Sequence, residues 1–225
     1  MINNLFIMKV FSLLLCILLV ISCKEEDNKP LNSLEKVAYA HGFEHWDKVD
    51  EIKFTFNVDR DTTHFERSWE WRPKKNEVTL IKDGKRLDFN RDRILSDAEL
   101  AAEKNFVNDV YWLLAPYKLV WDEHKTFSEP IMDLAPISQD SLQKLTIVYD
   151  SLDVDTPGDA YDFYIDNNNM VKEWVYREEN STSMCMITTW ESYKDYQGLK
   201  IATMHQNENG IFKLYFTGIK LSVLE

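Results

Sequence analysis

Five side chains that carry oxygen, Asp88, Asn90, Asp92, Ser96 and Glu99, occupy positions 1, 3, 5, 9 and 12 of a run whose spacing suits a calcium ion. The same run argues against that use. Position 6 is Arg93 where a calcium loop turns on glycine, the residues before Asp88 read as a strand, and Ser96 with Glu99 already makes a helix capping box. His41, Glu44 and His45 set two imidazoles four residues apart, which a metal could use on a helix, but Gly42 interrupts the helix and the sequence offers no third ligand. A helix-end histidine on an apolar stripe accounts for His41. Asp150, Asp153, Asp155, Asp159 and Asp162 can attract a cation or form a solvated turn. Carboxylates are too numerous for any two to stand out as an acid and base, and there is no Gly-rich phosphate loop, CxxC pair or nucleophile elbow. The expectation is a protein without catalytic residues, metal ligands or cofactors, and not an enzyme.

The thiols point elsewhere. Residues 13–21 form a short apolar core after the single charge of Lys9, too short to span a bilayer as an ordinary helix. It ends in Val20, Ile21, Ser22 and Cys23, which resembles the bacterial lipobox: an aliphatic residue, a small residue, then the thiol that accepts diacylglycerol. The reading is a lipoprotein signal peptide over residues 1–22, with translation starting at Met1 or Met8, and lipid attachment at Cys23. Two or three acyl chains hold a protein on its membrane where one binds only reversibly. Residues 23–30 follow as an acidic tether through Lys24, Glu25, Glu26 and Asp27. That run is also similar to the export signal of surface lipoproteins in Bacteroidetes, so an outer-membrane lipoprotein is expected, surface-exposed or periplasm-facing. Cys16 leaves with the signal and Cys23 is lipidated, so Cys185 has no disulfide partner and reads as a packed residue in a strand.

Removing the signal leaves roughly 200 residues, enough for one domain with a sizeable core, here 31–225. The formal net charge of −12 becomes one unit more negative without Lys9, which argues against nucleic acid as a partner.

The elements that would carry any site are mostly strands. Leu31 to His41 reads as a helix with Leu34, Val37, Ala38 and His41 on one face. Ile52, Phe54, Phe56 and Val58 alternate with polar residues, then Phe65, Trp69 and Trp71 do so beyond a turn at Asp59 to Thr62. Glu77 to Ile81 and Lys85 to Phe89 pair across Asp83-Gly84, a hairpin signal. A central helix carries Leu100, Val107, Val110, Tyr111 and Leu114 on one stripe; Ser96 and Glu99 cap it, Leu95 and Leu100 staple it, and Pro116 predicts its end near Ala115. Strands are then expected near 142–150, 160–166, 170–178, 184–193, 199–205 and 211–224, joined by turns at 157–159, 166–169 and 207–210. Many antiparallel strands with one or two helices predict an α+β protein whose sheet curls around something.

This order resembles the LolA/LolB-like lipoprotein-carrier superfamily. The supporting residues are Tyr161 to Asp166, then Glu173, Trp174, Val175 and Tyr176, then Trp190 to Tyr193 leading to Gly198-Leu199 and two final strands. More narrowly, Phe106 to Asp109, Tyr111 to Leu114, Pro116, Leu119 to Asp122, and Thr156 to Asp162 look like an uncharacterised family of flavobacterial lipoproteins. The resemblance implies a strongly curved antiparallel sheet, an incomplete barrel covered by one or two helices, whose interior accepts acyl chains. Phe54, Phe56, Trp69, Trp71, Tyr111, Trp112 and Trp174 could line that cavity; the same rings could equally pack a core. It implies a membrane-anchored protein holding a lipid or a lipoprotein acyl chain, the other reading being a surface accessory lipoprotein without a small-molecule ligand. A carrier that is anchored cannot shuttle between membranes.

Overall fold

Asn32 starts the folded unit, which runs from Asn32 onward, by capping helix α1 (Ser33–Ala40). Its side chain accepts from the Glu35 amide at 2.9 Å and the Glu35 carboxylate accepts from the Asn32 amide at 2.7 Å, so two otherwise orphaned donors are satisfied at once. The structure is a computed structural model that describes residues 30–150, 156–183 and 186–224. Helix α1 stops where Gly42 turns to φ 90°. A Cβ on Gly42 would lie 2.0 Å from the Gly198 carbonyl oxygen, so only glycine lets these two backbones touch.

A 3-10 turn (Phe43–Lys48) leads into two hairpins, β1 (Val49–Arg60) with β2 (Thr63–Arg72) and β3 (Glu77–Lys82) with β4 (Lys85–Asn90). The second closes across Asp83 and Gly84, both at positive φ, as its Asp-Gly sequence predicts. Helix α2 (Asp97–Trp121) follows, capped by Ser96 and Glu99. It does not end at Ala115. Leu114 leaves helical geometry at φ −131° and ψ 24°, and the chain resumes helix through Pro116 to Trp121. The proline has no N–H to donate, so it breaks the first segment but sits comfortably in the opening turn of the second.

The remaining strands are β5 (Lys125–Phe127), β6 (Ile131–Leu134), β7 (Ser141–Tyr149), β8 (Ala160–Ile165), β9 (Val171–Arg177), β10 (Met186–Thr189), β11 (Lys194–Tyr196), β12 (Leu199–Ile201), β13 (Met204–Gln206) and β14 (Phe212–Val223). The expected strand at 184–193 is shorter, because Trp190 to Ser192 cross from one sheet to the next, and the one at 199–205 is two strands with different partners. Cys185 and Cys23 lie outside the described residues, as do Asp153 and Asp155 of the acidic loop. Among the described residues no helix is long and apolar enough to cross a membrane.

The strand pairings of the described residues are antiparallel, in the orders β13-β14-β1-β2-β3-β4 and β10-β9-β8-β7-β5, with β6 also on β7 and β11 paired with β12. The crossing segment stitches the two sheets together: the Trp190 amide donates to Lys172 O at 2.7 Å, and the Thr203 amide donates to Glu191 O at 3.0 Å. Helix α2 packs on both. Phe106, Val110, Leu113, Leu114 and Tyr117 join the core of the first sheet, while Tyr111, Ala115 and Leu119 join that of the second. A joined sheet that touches one helix from two sides must curl around it, and its outer strands β4 and β5 remain unpaired with each other. The protein is therefore α+β, with a strongly curved, unclosed antiparallel sheet. A helix enclosed in this way is apolar nearly all round, which is why its sequence gives no sharp polar face over 109–119.

Candidate functional site

The first half of α2 carries one stripe that borders open space, and its inner end, Tyr111 and Trp112, also packs on the cores. Leu100, Glu103, Lys104, Val107, Asn108, Tyr111 and Trp112 recur at helical spacing and form one wall of an open cleft of about 830 Å³. The opposite wall is the inner face of the second sheet, Tyr161 on β8, Trp174 and Tyr176 on β9 and Met186 on β10, with Arg91, Thr156 and Asp159 at its margin. Period-two alternation puts those sheet residues on one face: Trp174 and Tyr176 turn inward while Glu173 and Val175 turn outward. The outward Glu173 carboxylate is itself used, accepting from the Ile137 and Ser138 amides at 2.7 and 2.8 Å to fasten the turn between β6 and β7.

Aromatic rings line the inner part of the cleft. Tyr111 stacks on Tyr161 with centroids 4.7 Å apart, Trp112 meets Trp174 edge-on at 4.5 Å, and Tyr161 lies 5.2 Å from Tyr176. Behind them a chain of hydroxyls runs from Tyr111 to Tyr149 at 3.1 Å and from Tyr149 to the Asp122 carboxylate at 2.7 Å. Burial pushes the phenols of Tyr111, Tyr149 and Tyr161 well above their ordinary range, so they stay protonated and act as donors rather than bases. Charge sits at the mouth, where Arg91 pairs with Glu103 at 2.7 Å. The chemistry this wall offers is dispersion and apolar burial.

Of the seven aromatic residues singled out by sequence, the cleft gathers Tyr111, Trp112 and Trp174. Phe54, Phe56, Trp69 and Trp71 are not brought there: they are packed in the core of the first sheet, where Trp69 and Trp71 flank Phe106 at 5.3 Å each and Phe216 lies between Phe54 and Phe56. The helix fills that side of the curl. Tyr161, Tyr176 and Met186 join them; in the sequence Tyr161 and Tyr176 carry part of the family resemblance, but none of the three is placed in a cavity there. Val107 and Leu100 were legible as a stripe on the helix, but not as a wall facing open space.

The motifs with metal-like spacing are dispersed. Asp88 accepts from Thr79 and Arg86 on the first sheet, Asn90 and Asp92 bind Lys75 O and Asn76, and Ser96 and Glu99 serve the cap. His41 is buried with Nδ1 2.7 Å from Val37 O and Nε2 3.2 Å from the Tyr193 hydroxyl, while His45 lies beside Gly198 and Glu44. In the acidic loop, Asp162 pairs with Arg177 and accepts from Thr146, and Asp159 accepts from Tyr176. A smaller groove of about 320 Å³ on the first sheet is lined by Glu51, Glu70, Arg72, Arg86 and Asp88, whose charges satisfy one another.

No family model matches the chain, and no curated protein does. Among solved structures it is similar to a LolA superfamily protein from Nitrosomonas europaea (TM-score 0.47, 10% identity, 86% of this chain and 93% of that one). It is similar also to a putative outer membrane lipoprotein-sorting protein domain from Vibrio parahaemolyticus (TM-score 0.47, 10% identity, 84% and 92%). A third is a DUF1329 family protein from Desulfovibrio piger (TM-score 0.44, 8% identity, 85% and 94%).

Proposed function

We propose that this chain is a LolA-like lipoprotein of the outer membrane, of the flavobacterial kind that residues 106–122 resemble, anchored through lipid on Cys23, and that it binds a hydrophobic ligand in the cleft. The observation that carries the reading is the cleft itself. Its volume of about 830 Å³ falls in the ~300–1,000 Å³ range of small-molecule sites, and the apolar and aromatic part of its lining includes Val107, Tyr111, Trp112, Tyr161, Trp174, Tyr176 and Met186. Each methylene of an acyl chain buried between such rings contributes about 0.8 kcal/mol. A lipid tail or a lipoprotein acyl chain fits this chemistry, and among the described residues the walls supply no nucleophile with a base beside it, which supports a binding role over an enzymatic one. Anchoring makes the protein a holder or receptor of its ligand rather than a shuttle.

The test uses the chain carrying Cys23→Ser, purified without detergent. Native mass spectrometry is expected to find a co-purifying lipid, and N-phenyl-1-naphthylamine to brighten on binding and be displaced by fatty acyl compounds. A ligand-free protein that neither brightens the probe nor binds acyl compounds rejects the reading. Wild-type cells labelled with a lipid precursor test the anchor, since lipid should be lost with Cys23→Ser.

One observation favours the accessory role. Ile131, Met132 and Leu134 on the edge strand β6 are 57%, 61% and 58% exposed, a short apolar strip beside open backbone hydrogen-bonding groups. If the strip docks a partner protein in the envelope, Met132→Lys will release that partner from crosslinked complexes while probe binding in the cleft is unchanged.

A further inference from the structure

Among the described residues, six buried side-chain polar atoms have no hydrogen-bond partner, and four of them gather at one seam. They are Trp174 Nε1, Thr188 Oγ1, Trp190 Nε1 and His205 Nε2; the other two, Trp71 Nε1 and Glu103 Oε2, are on β2 and α2. The four belong together in space. Thr188 stands directly opposite Trp174 in the β9/β10 pair and so shares its face, the Trp174 and Trp190 rings are 5.3 Å apart, and Trp190 meets His205 at 4.5 Å. All four residues are 0–1% exposed. Buried polar groups are normally satisfied, so four without a protein partner in a single neighbourhood are groups that a small polar partner, water or ligand, would serve.

Their location says where it would come from. Trp174 is a wall of the cleft, and Trp112, which lines the cleft too, meets both Trp174 and His205 edge-on at 4.5 and 5.5 Å. Thr188, Trp190 and His205 do not line the cleft, and the half-buried Trp112, which touches both Trp174 and His205, is the ring that must rotate to join cleft and seam.

The four atoms also specify a chemistry. An indole N–H only donates, so Trp174 and Trp190 offer two donors. His205 Nδ1 lies 3.2 Å from Thr189 O, which only accepts, so Nδ1 carries the hydrogen. Burial holds the ring's pKa at about 3, leaving it neutral with Nε2 a bare acceptor. Thr188 can do either. Two donors and one acceptor complement a hydroxyl, which has two lone pairs and one hydrogen. A carboxylate fits poorly because it has no hydrogen to give Nε2.

We propose, building on the cleft reading above, that the inner end of the cleft receives the hydroxyl of an uncharged amphiphile, such as a long-chain alcohol or a monoacylglycerol, with Trp174, Trp190, Thr188 and His205 as its partners. The acyl portion lies along Val107, Tyr111 and Tyr161, and the polar end is inward rather than at the mouth.

The experiment titrates the chain carrying Cys23→Ser with 1-decanol, 1-methoxydecane and decanoate, followed by calorimetry. The ether keeps the chain and an acceptor oxygen but cannot donate, so 1-decanol is expected to bind about ten-fold tighter. His205→Phe and, as a second and nearly isosteric variant, Thr188→Val are each expected to shrink that ratio. Equal affinities for alcohol and ether, or a structure in which ordinary water occupies the seam in the presence of 1-decanol, overturn the inference but leave the cleft reading standing. Tighter binding of decanoate than of 1-decanol also overturns it. If none of the three binds, the cleft reading fails and the inference with it.

Discussion

Arg67 and Asp109 join the sheet to the helix it encloses through two parallel hydrogen bonds of 2.5 Å, from Nε to Oδ2 and from Nη2 to Oδ1. Trp69 Nε1 adds a third donor at 2.7 Å and Asn108 a fourth at 3.0 Å, so a carboxylate with no exposed surface has its lone pairs filled. Burial pushes the Asp109 carboxyl up, and Arg67, Trp69 and Asn108 pull against that shift. The guanidinium is in turn held between the Phe56 and Phe65 rings at 5.1 and 5.2 Å.

Removing one member of this pair strands the other. Asp109→Ala is expected to cost about 3–5 kcal/mol in urea unfolding, because Arg67 would remain in a mostly buried place without its counter-charge. The double variant Arg67→Met/Asp109→Leu should recover much of that loss, since apolar groups of similar volume carry no desolvation cost. A double variant as unstable as the single would show that the pair contributes through shape rather than charge.

Gly42 and Gly198 allow a second prediction from close approach. Gly42→Ala combines φ 90° with a Cβ 2.0 Å from a backbone oxygen, and backbone cannot swing away as a side chain would. It should lose more than about 2 kcal/mol. Gly84→Ala is the control: φ is 71° but nothing lies within 4 Å, so only the left-handed strain of about 1–2 kcal/mol applies. Thermal melts of the two variants should separate clearly, and equal losses would refute the contact argument.

Two buried histidines contribute to the acid response. Desolvation lowers His41 to about 4 and His205 to about 3, against an ordinary value of 6.5. Below pH 6.5 the unfolded chain takes up protons that the folded chain refuses, so this stability is complete above about 6.5 and is lost as the pH falls toward 4. The combined loss is on the order of several kcal/mol. Urea midpoints between pH 7.5 and 4.5 should therefore decline steadily in wild type and more shallowly in His205→Phe. Parallel slopes in the two proteins would remove His205 as a cause.

The parts of this molecule legible in sequence are those governed by neighbours in the chain. Ser96 and Glu99 announce the start of α2, Asp83-Gly84 a tight hairpin, and the alternation of Ile52, Phe54 and Phe56 a strand with one buried face. Pro116 correctly signals a break, but not that helix resumes, which depends on Tyr117 and Leu119 finding cores on both sides. Strands β5 and β6 escape notice because three- and four-residue edge segments have too little pattern to read. The division of the aromatic residues between core and cleft is less legible still. Phe54 and Trp174 both alternate, face inward and are buried against α2, yet only the second also borders the cleft. Whether a concave face is filled depends on where the helix lies, and no local spacing encodes that.

That division yields the last prediction, because filled and unfilled rings should fail differently. Val107 faces the cleft from a half-buried position on α2, so Val107→Asp adds a charge to the ligand's path without opening a hole in either core. It should weaken N-phenyl-1-naphthylamine binding by about ten-fold or more while changing stability by about 1 kcal/mol at most. Phe54 is 1% exposed and packs edge-on against Phe216 at 5.9 Å, so Phe54→Ala leaves a cavity worth about 3–5 kcal/mol, with probe affinity close to wild type wherever the protein remains folded. The two measurements, a urea titration and a fluorescence titration on each variant, should cross over. If Phe54→Ala weakens the probe as much as Val107→Asp does, the ligand space extends into the first core and the cleft beside Tyr111 and Trp174 is not its boundary.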